Sequence, residues 1–204
     1  VGSEMCIRDR NISMGIRTDL ALEAAQQLAE TSPIDGIKKN EYQKADLNIT
    51  EISVETESAA ENLGKPIGKY ITIQSELSFE NHPDNFNERV DILAEEINKL
   101  CKNKDNILVV GLGNKNITPD SLGPHVAEQT FATRHIKQLA DDVDTSDLST
   151  VSVIKTGVLG TTGIESSETV KAVCEMINPS VVIVIDALAC SEISHLGTTI
   201  QLCN

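Results

Sequence analysis

Residues 107–124 read Ile107-Leu-Val-Val-Gly-Leu-Gly-Asn-Lys-Asn-Ile-Thr-Pro-Asp-Ser-Leu-Gly-Pro124. Four consecutive aliphatic residues, Ile107 to Val110, have the pattern of a short strand buried on both faces of a parallel sheet. Glycines at 111 and 113 then permit a turn. Pro124 suits the first turn of a helix, where the N–H that proline lacks would be unpaired in any case. Strand, glycine-bearing loop and helix in this order define an α/β unit. The loop is not a dinucleotide fingerprint, because Asn116 stands where G-x-G-x-x-G needs its third glycine.

Working outward toward the C-terminus, the helix from Pro124 carries Val126, Ala127, Thr130, Phe131 and Ile136, and acidic residues 141–144 form a solvated loop. Val151–Ile154 is a second strand, Gly157 to Gly163 a glycine-rich loop, 165–177 a helix and Val181–Ile185 another buried strand, with a strand-like piece at Thr198–Leu202. Toward the N-terminus, Val90, Leu93, Ala94, Ile97 and Leu100 fall at helical spacing and predict a helix over 84–103. Residues 46–54 and 69–77 alternate polar and apolar, as strands do, and are joined by a loop containing Gly64, Pro66 and Gly68. Leu20, Ala21, Ala24, Ala25 and Leu28 mark a short amphipathic helix that ends before Pro33. The expected fold is α/β, a mostly parallel sheet with helices on both faces and right-handed connections. Residues 1–13 share none of this patterning. Val1–Arg10 read as an artefactual leader and Met14 as a start.

Composition narrows the function classes. With 31 acidic and 17 basic residues the net charge is −14, which opposes binding to phosphate backbones or anionic lipid. Aromatic residues make up 2% of the chain, so the core is aliphatic and base-stacking platforms are not expected. No apolar run reaches the roughly 18–20 residues of a membrane span, nor does the N-terminus carry a secretory signal, so a cytoplasmic location is expected. Cys6, Cys101, Cys174, Cys190 and Cys203 are odd in number and form no C-x-x-C pair, the opposite of a disulfide framework or structural zinc site. No cofactor is expected.

In open α/β sheets, ligands bind at the loops after the carboxyl ends of the strands. Here those loops are 111–123, 155–163 and 186–190. Asp186 ends five β-branched residues, where a carboxylate is partly desolvated unless paired or protonated. It reads either as the cap of a following helix or as a functional acid. Asp120, just ahead of the Pro124 helix, either ties the turn or does the same. Two neighbouring carboxylates can divide labour, one protonated as general acid and one ionised as the base that activates water, which is what amide hydrolysis needs. Gly157, Gly160, Thr162, Gly163 and Asn114 are candidates to bind substrate or hold its oxyanion, with ordinary turn roles as the alternative. His125, His135 and His195 are scattered, and Cys190 has no evident histidine partner.

Six ordered stretches resemble the germination protease family of endospore-forming bacteria. They are Ile16-Arg-Thr-Asp-Leu-Ala21, Val110 to Pro124, Thr133-Arg-His135, Gly157 to Glu165, Ile185-Asp-Ala-Leu-Ala189 and Thr198-Thr-Ile-Gln201. The resemblance, over 16–204, implies an atypical aspartic endopeptidase similar in fold to hydrogenase maturation proteases, with Asp120 and Asp186 as its catalytic pair. It further implies small acid-soluble spore proteins as substrates, degraded in the spore core during germination, and a homotetrameric zymogen that trims its own N-terminus. The family's cleavage motif is Thr-Glu, a large apolar residue, Ala, any residue, Glu. Thr18-Asp-Leu-Ala-Leu-Glu23 is similar to it, which places self-cleavage between Asp19 and Leu20 and makes 14–19 a propeptide-like segment. Its alternative reading is the first turn of a helix. Lys115 departs from the family's frequent aromatic, and Cys190-Ser191 from its small and basic residues. Family members also continue beyond Thr-Thr-Ile-Gln, so 20–204 is expected to be a peptidase domain incomplete at its C-terminus. Two other readings stand beside this one: a metal-dependent maturation-type peptidase using Asp120, Asp186 and His125, and an inactive acidic module that binds a protein partner.

Overall fold

The computed structural model describes residues 18–29, 35–79, 84–139, 145–146 and 148–204. The expected leader, the segment 14–17 and the acidic loop 141–144 lie outside them. The chain divides into two units, Cys101–Ala187 and Met14–Leu100 with Leu188–Asn204.

In the first unit, β4 (Asn106–Leu112) lies between β5 (Thr150–Gly157) and β6 (Val181–Ile185), and all three run parallel. Leu108, Val110 and Leu112 turn one face toward α7 (Ser166–Ile177), meeting Ile177, Val170, Val173 and Cys174. The other face receives α4 (Leu122–Gln129). There Gly111 leaves no room for a side chain, since a Cβ would strike the Gly123 carbonyl and Ala127. The expected two-faced burial of the 107–110 strand is therefore met. For β6 it is corrected: this is an edge strand of the sheet, where Val182 and Val184 are exposed and Val181, Ile183 and Ile185 half-buried. A run of β-branched residues has the same appearance whether one face or two are covered. The single helix expected through Ile136 is also corrected. It breaks after Gln129 and resumes as α5 (Arg134–Leu139). At the break Thr133 is buried, its hydroxyl donating to Ser149 O and accepting from Val151 N–H. Thr133 thereby pins the chain to the head of β5.

The second unit is a four-stranded antiparallel sheet, β1 (Ile37–Lys44), β2 (Leu47–Val54), β3 (Gly68–Ser75) and β7 (Thr199–Cys203), in that order. The expectation of one mostly parallel sheet is thus corrected: the molecule is α/β, with a parallel sheet and a separate antiparallel one. Parallel neighbours need a crossover of a dozen or more residues, whereas β1 and β2 are joined by the tight turn Ala45-Asp46. Side chains alternate between two cores. Ile52, Val54 and Tyr70 pack with Ala21, Leu22, Ala59 and Leu63 of α1 (Ala21–Ala29) and α2 (Glu57–Leu63). Leu47, Ile49, Ile71 and Ile73 meet Ile92 and Leu93 of α3 (Phe86–Leu100). Helix α2 replaces the first half of the expected 55–68 loop. Thr56 caps it, accepting from Ala59 N–H, and Gly64 ends it at φ 64°.

Candidate active site

The loop after β4 doubles back on itself. Gly113 takes φ 108°, and a Cβ there would collide with the Asp120 carbonyl. Asn114 N–H donates to both the Asp120 carbonyl (3.0 Å) and its carboxylate Oδ2 (2.8 Å). Asp120 closes a 3₁₀ turn, Thr118–Asp120, whose second residue is Pro119. Its carboxylate is half-buried and held from behind by a backbone amide. The turn-tying reading of Asp120 is therefore real, with Oδ2 on the Asn114 amide and Oδ1 beside Gly113.

The next residues join this turn to β6. A Cβ on Gly123 would strike the Leu112 amide and carbonyl at the end of β4 and the Ile185 carbonyl at the end of β6. The start of α4 is thus seated on two neighbouring strand ends, which are in register at Gly111 and Ile185. Asp186 follows Ile185 directly. Its Oδ1 accepts from Ala187 N–H at 2.8 Å, and it is half-buried. Both aspartates stand on the carboxyl rim of one sheet, at adjacent strands, where ligands bind in open α/β folds.

The third loop behaves differently. Gly157 and Gly163 adopt φ 71° and 70°, conformations that favour glycine. Between them Leu159–Thr162 form one helical turn, α6, in which Thr161 and Thr162 N–H donate to Val158 O and Gly163 N–H to Leu159 O. The Thr162 hydroxyl lies at 3.2 Å from Val158 O and 2.9 Å from Ile164 O. Two of the amides expected to face an oxyanion, those of Thr162 and Gly163, are thus spent on this turn, and that of Asn114 is spent on Asp120. Gly160 is exposed, with open space around its α-carbon. Lys115, from the loop after β4, and Lys155, on β5, both contact Glu128 of α4, at 2.6 and 2.7 Å. They hold its carboxyl down at about 2. His125 is exposed. Among the described residues no three His, Cys, Asp or Glu side chains group to hold a metal ion, so the Asp120, Asp186 and His125 triad is not assembled.

One cluster escaped the sequence. Glu23, 2% exposed, accepts from Ser191 N–H (2.9 Å), the Ser191 hydroxyl (2.5 Å) and Glu192 N–H (3.2 Å), with His195 Nδ1 at 2.5 Å. Burial pushes its carboxyl upward, but the Ser191 hydroxyl, Thr18, the Ser191 amide and His195 outweigh it and bring it to about 2. A glutamate in a helical pattern gives no sign of partners 170 residues away.

A family model described as germination protease matches residues 16–204. Proteins named germination protease from Caldanaerobacter subterraneus subsp. tengcongensis, Clostridium tetani and a Geobacillus species are 42%, 39% and 37% identical to this chain, over 95%, 94% and 96% of its length. The alignments cover 60%, 60% and 56% of those relatives, so the chain spans about three-fifths of their length. The match runs through all six stretches that carried the resemblance, and the chain belongs to the germination protease family.

Proposed function

We propose that this chain carries the hydrolytic centre of an endopeptidase that acts in spore germination, with Asp120 and Asp186 as an aspartate pair. The observation that carries the reading is the seating of Gly123 against the ends of both β4 and β6, which sets the Asp120 turn and Asp186 on one rim. One carboxylate takes a proton from a water, which attacks the peptide carbonyl. The other, protonated, delivers a proton to the departing nitrogen, and the two exchange states before the next turnover. The wider reading includes the atypical aspartic type, a parallel unit akin to hydrogenase maturation proteases, small acid-soluble spore proteins as substrates in the spore core, a homotetramer, and a zymogen that cuts between Asp19 and Leu20. It is supported by family membership and by the six matching stretches.

The test is cleavage of a Thr-Glu-Phe-Ala-Ser-Glu peptide by the purified chain, followed by mass spectrometry. Cutting after the first Glu is expected, and Asp120→Asn and Asp186→Asn should each abolish it while the circular dichroism spectrum is retained. Wild-type rates in both variants, or an uncut peptide with the unaltered chain, would refute the assignment.

A further inference from the structure

The bond that the sequence marks for self-cleavage is held in an unusual way. The Asp19 carbonyl oxygen accepts from Lys65 Nζ at 2.9 Å and from Gln201 Nε2 at 3.0 Å. The other end of the Gln201 amide, Oε1, accepts from Ala21 N–H at 2.7 Å, so the amide spans the Asp19–Leu20 linkage and its orientation is fixed. Asp19 is also paired with Ala189 in both directions, its N–H donating to Ala189 O (2.9 Å) and its Oδ2 accepting from Ala189 N–H (3.0 Å). Beyond the bond, Leu20, Ala21, Leu22 and Glu23 are all buried. Among the described residues, the neighbouring Thr18 carbonyl receives only the longer Lys65 contact, 3.3 Å.

One donor stands on a strand and the other directly behind a helix cap. Lys65 follows the left-handed Gly64 that ends α2, and its own N–H donates to Ala60 O at 3.1 Å. Gln201 lies on β7, opposite Thr72 of β3. Side chains fixed on such elements are pre-organised, and a cation beside a carbonyl gains most when that oxygen becomes negative.

We infer that Lys65 and Gln201 form an oxyanion-holding pair for hydrolysis of the Asp19–Leu20 bond. The inference rests on the reading of Thr18–Glu23 as a self-cleavage motif. In the step, the oxygen of one water bonds to the Asp19 carbonyl carbon and the carbonyl π electrons move onto the oxygen held by the two donors. The C–N bond then breaks. Leu20 nitrogen takes one hydrogen of the water, leaving a peptide that ends in the Asp19 carboxyl and a chain that begins with the Leu20 amine.

The variants separate this role from anchoring. Gln201→Glu keeps the acceptor for Ala21 N–H but loses the donor to Asp19. Lys65→Met removes the ammonium, and Lys65→Arg restores a cation. Appearance of the Leu20 N-terminus, followed by mass spectrometry, should slow by about 10²–10³-fold in Gln201→Glu and in Lys65→Met, and recover most of that loss in Lys65→Arg. A readout independent of cleavage is the carbonyl resonance of Asp19 in chain labelled with ¹³C-carbonyl Asp and ¹⁵N-Leu, which reports three Asp–Leu linkages, at 19–20, 46–47 and 147–148. The 19–20 signal should move upfield in Gln201→Glu and Lys65→Met, and the other two should stay. Self-cleavage at an unchanged rate in both variants, or an unmoved 19–20 signal, overturns the oxyanion pair alone. An unaltered chain that never yields the Leu20 terminus overturns the self-cleavage reading and the pair with it.

Discussion

At Glu23 a nearly fully buried carboxylate is kept ionised by Ser191, Glu192 and His195, and the sign of its pH dependence follows. Its value falls from 4.5 to about 2 on folding, so the unfolded chain binds the proton more tightly. The stabilisation is complete above about pH 4.5 and is lost as pH falls toward 2, and it amounts to about 3 kcal/mol at neutral pH. Urea denaturation between pH 2 and 7 should show that slope, and Glu23→Gln should flatten it. An identical slope in the variant would deny the role. Gly123 is the second residue whose identity is forced. Gly123→Ala should cost about 1–3 kcal/mol by overpacking between Leu112 and Ile185, and should cut peptidase activity out of proportion to the stability loss, measured by denaturation beside the peptide assay. Asp186 is conspicuous in the sequence as a charge at the mouth of an apolar run, and Asp120 as a carboxylate just ahead of the Pro124 helix. The contacts of Glu23, Lys65 and Gln201 are not legible, because their partners are distant in sequence.

Elements were legible where burial repeats along the chain. Helix α3, β2, β3, β4 and α7 follow apolar periodicity and sit close to where it places them. Strand β1 was missed because Ile37-Lys-Lys-Asn-Glu-Tyr-Gln-Lys44 is an edge strand with little buried surface, held by pairing to β2. Its turn holds Ala45 at φ 51°, in the left-handed region. Ala45→Gly should therefore raise stability by about 1 kcal/mol, seen as a higher thermal midpoint. Helix α3 carries a glutamate that periodicity alone would place at the surface. Glu96 is fully buried and receives Lys44 Nζ at 3.0 Å, Lys99 Nζ at 2.6 Å and the Tyr42 hydroxyl at 3.0 Å. Burial pushes its carboxyl up, and Lys99, Lys44 and Tyr42 together hold it below the ordinary range. Glu96→Ala should cost about 1–3 kcal/mol in chemical denaturation, because Lys99 loses its counter-charge, the Tyr42 hydroxyl loses an acceptor, and Lys44 keeps only Glu95.

At the scale of the whole molecule, the reading from strand order found the parallel unit and its rim but merged two sheets into one. Apolar runs report burial and do not report direction, and only the two-residue turn at Ala45-Asp46 signals that the first strands run antiparallel. The charge of −14 keeps its meaning: it opposes binding to phosphate backbones. No helix among the described residues is long and apolar enough to cross a membrane. The central claim is that two carboxylates on one rim act as a single hydrolytic unit. Residues that act as a unit lose function together, so their effects do not multiply. The direct measurement is the rate of peptide cleavage by Asp120→Asn, Asp186→Asn and the double variant. Each single replacement should be as inactive as the double. A single variant that retains most of the rate, or a double variant whose loss is the product of the two single losses, would contradict the pair.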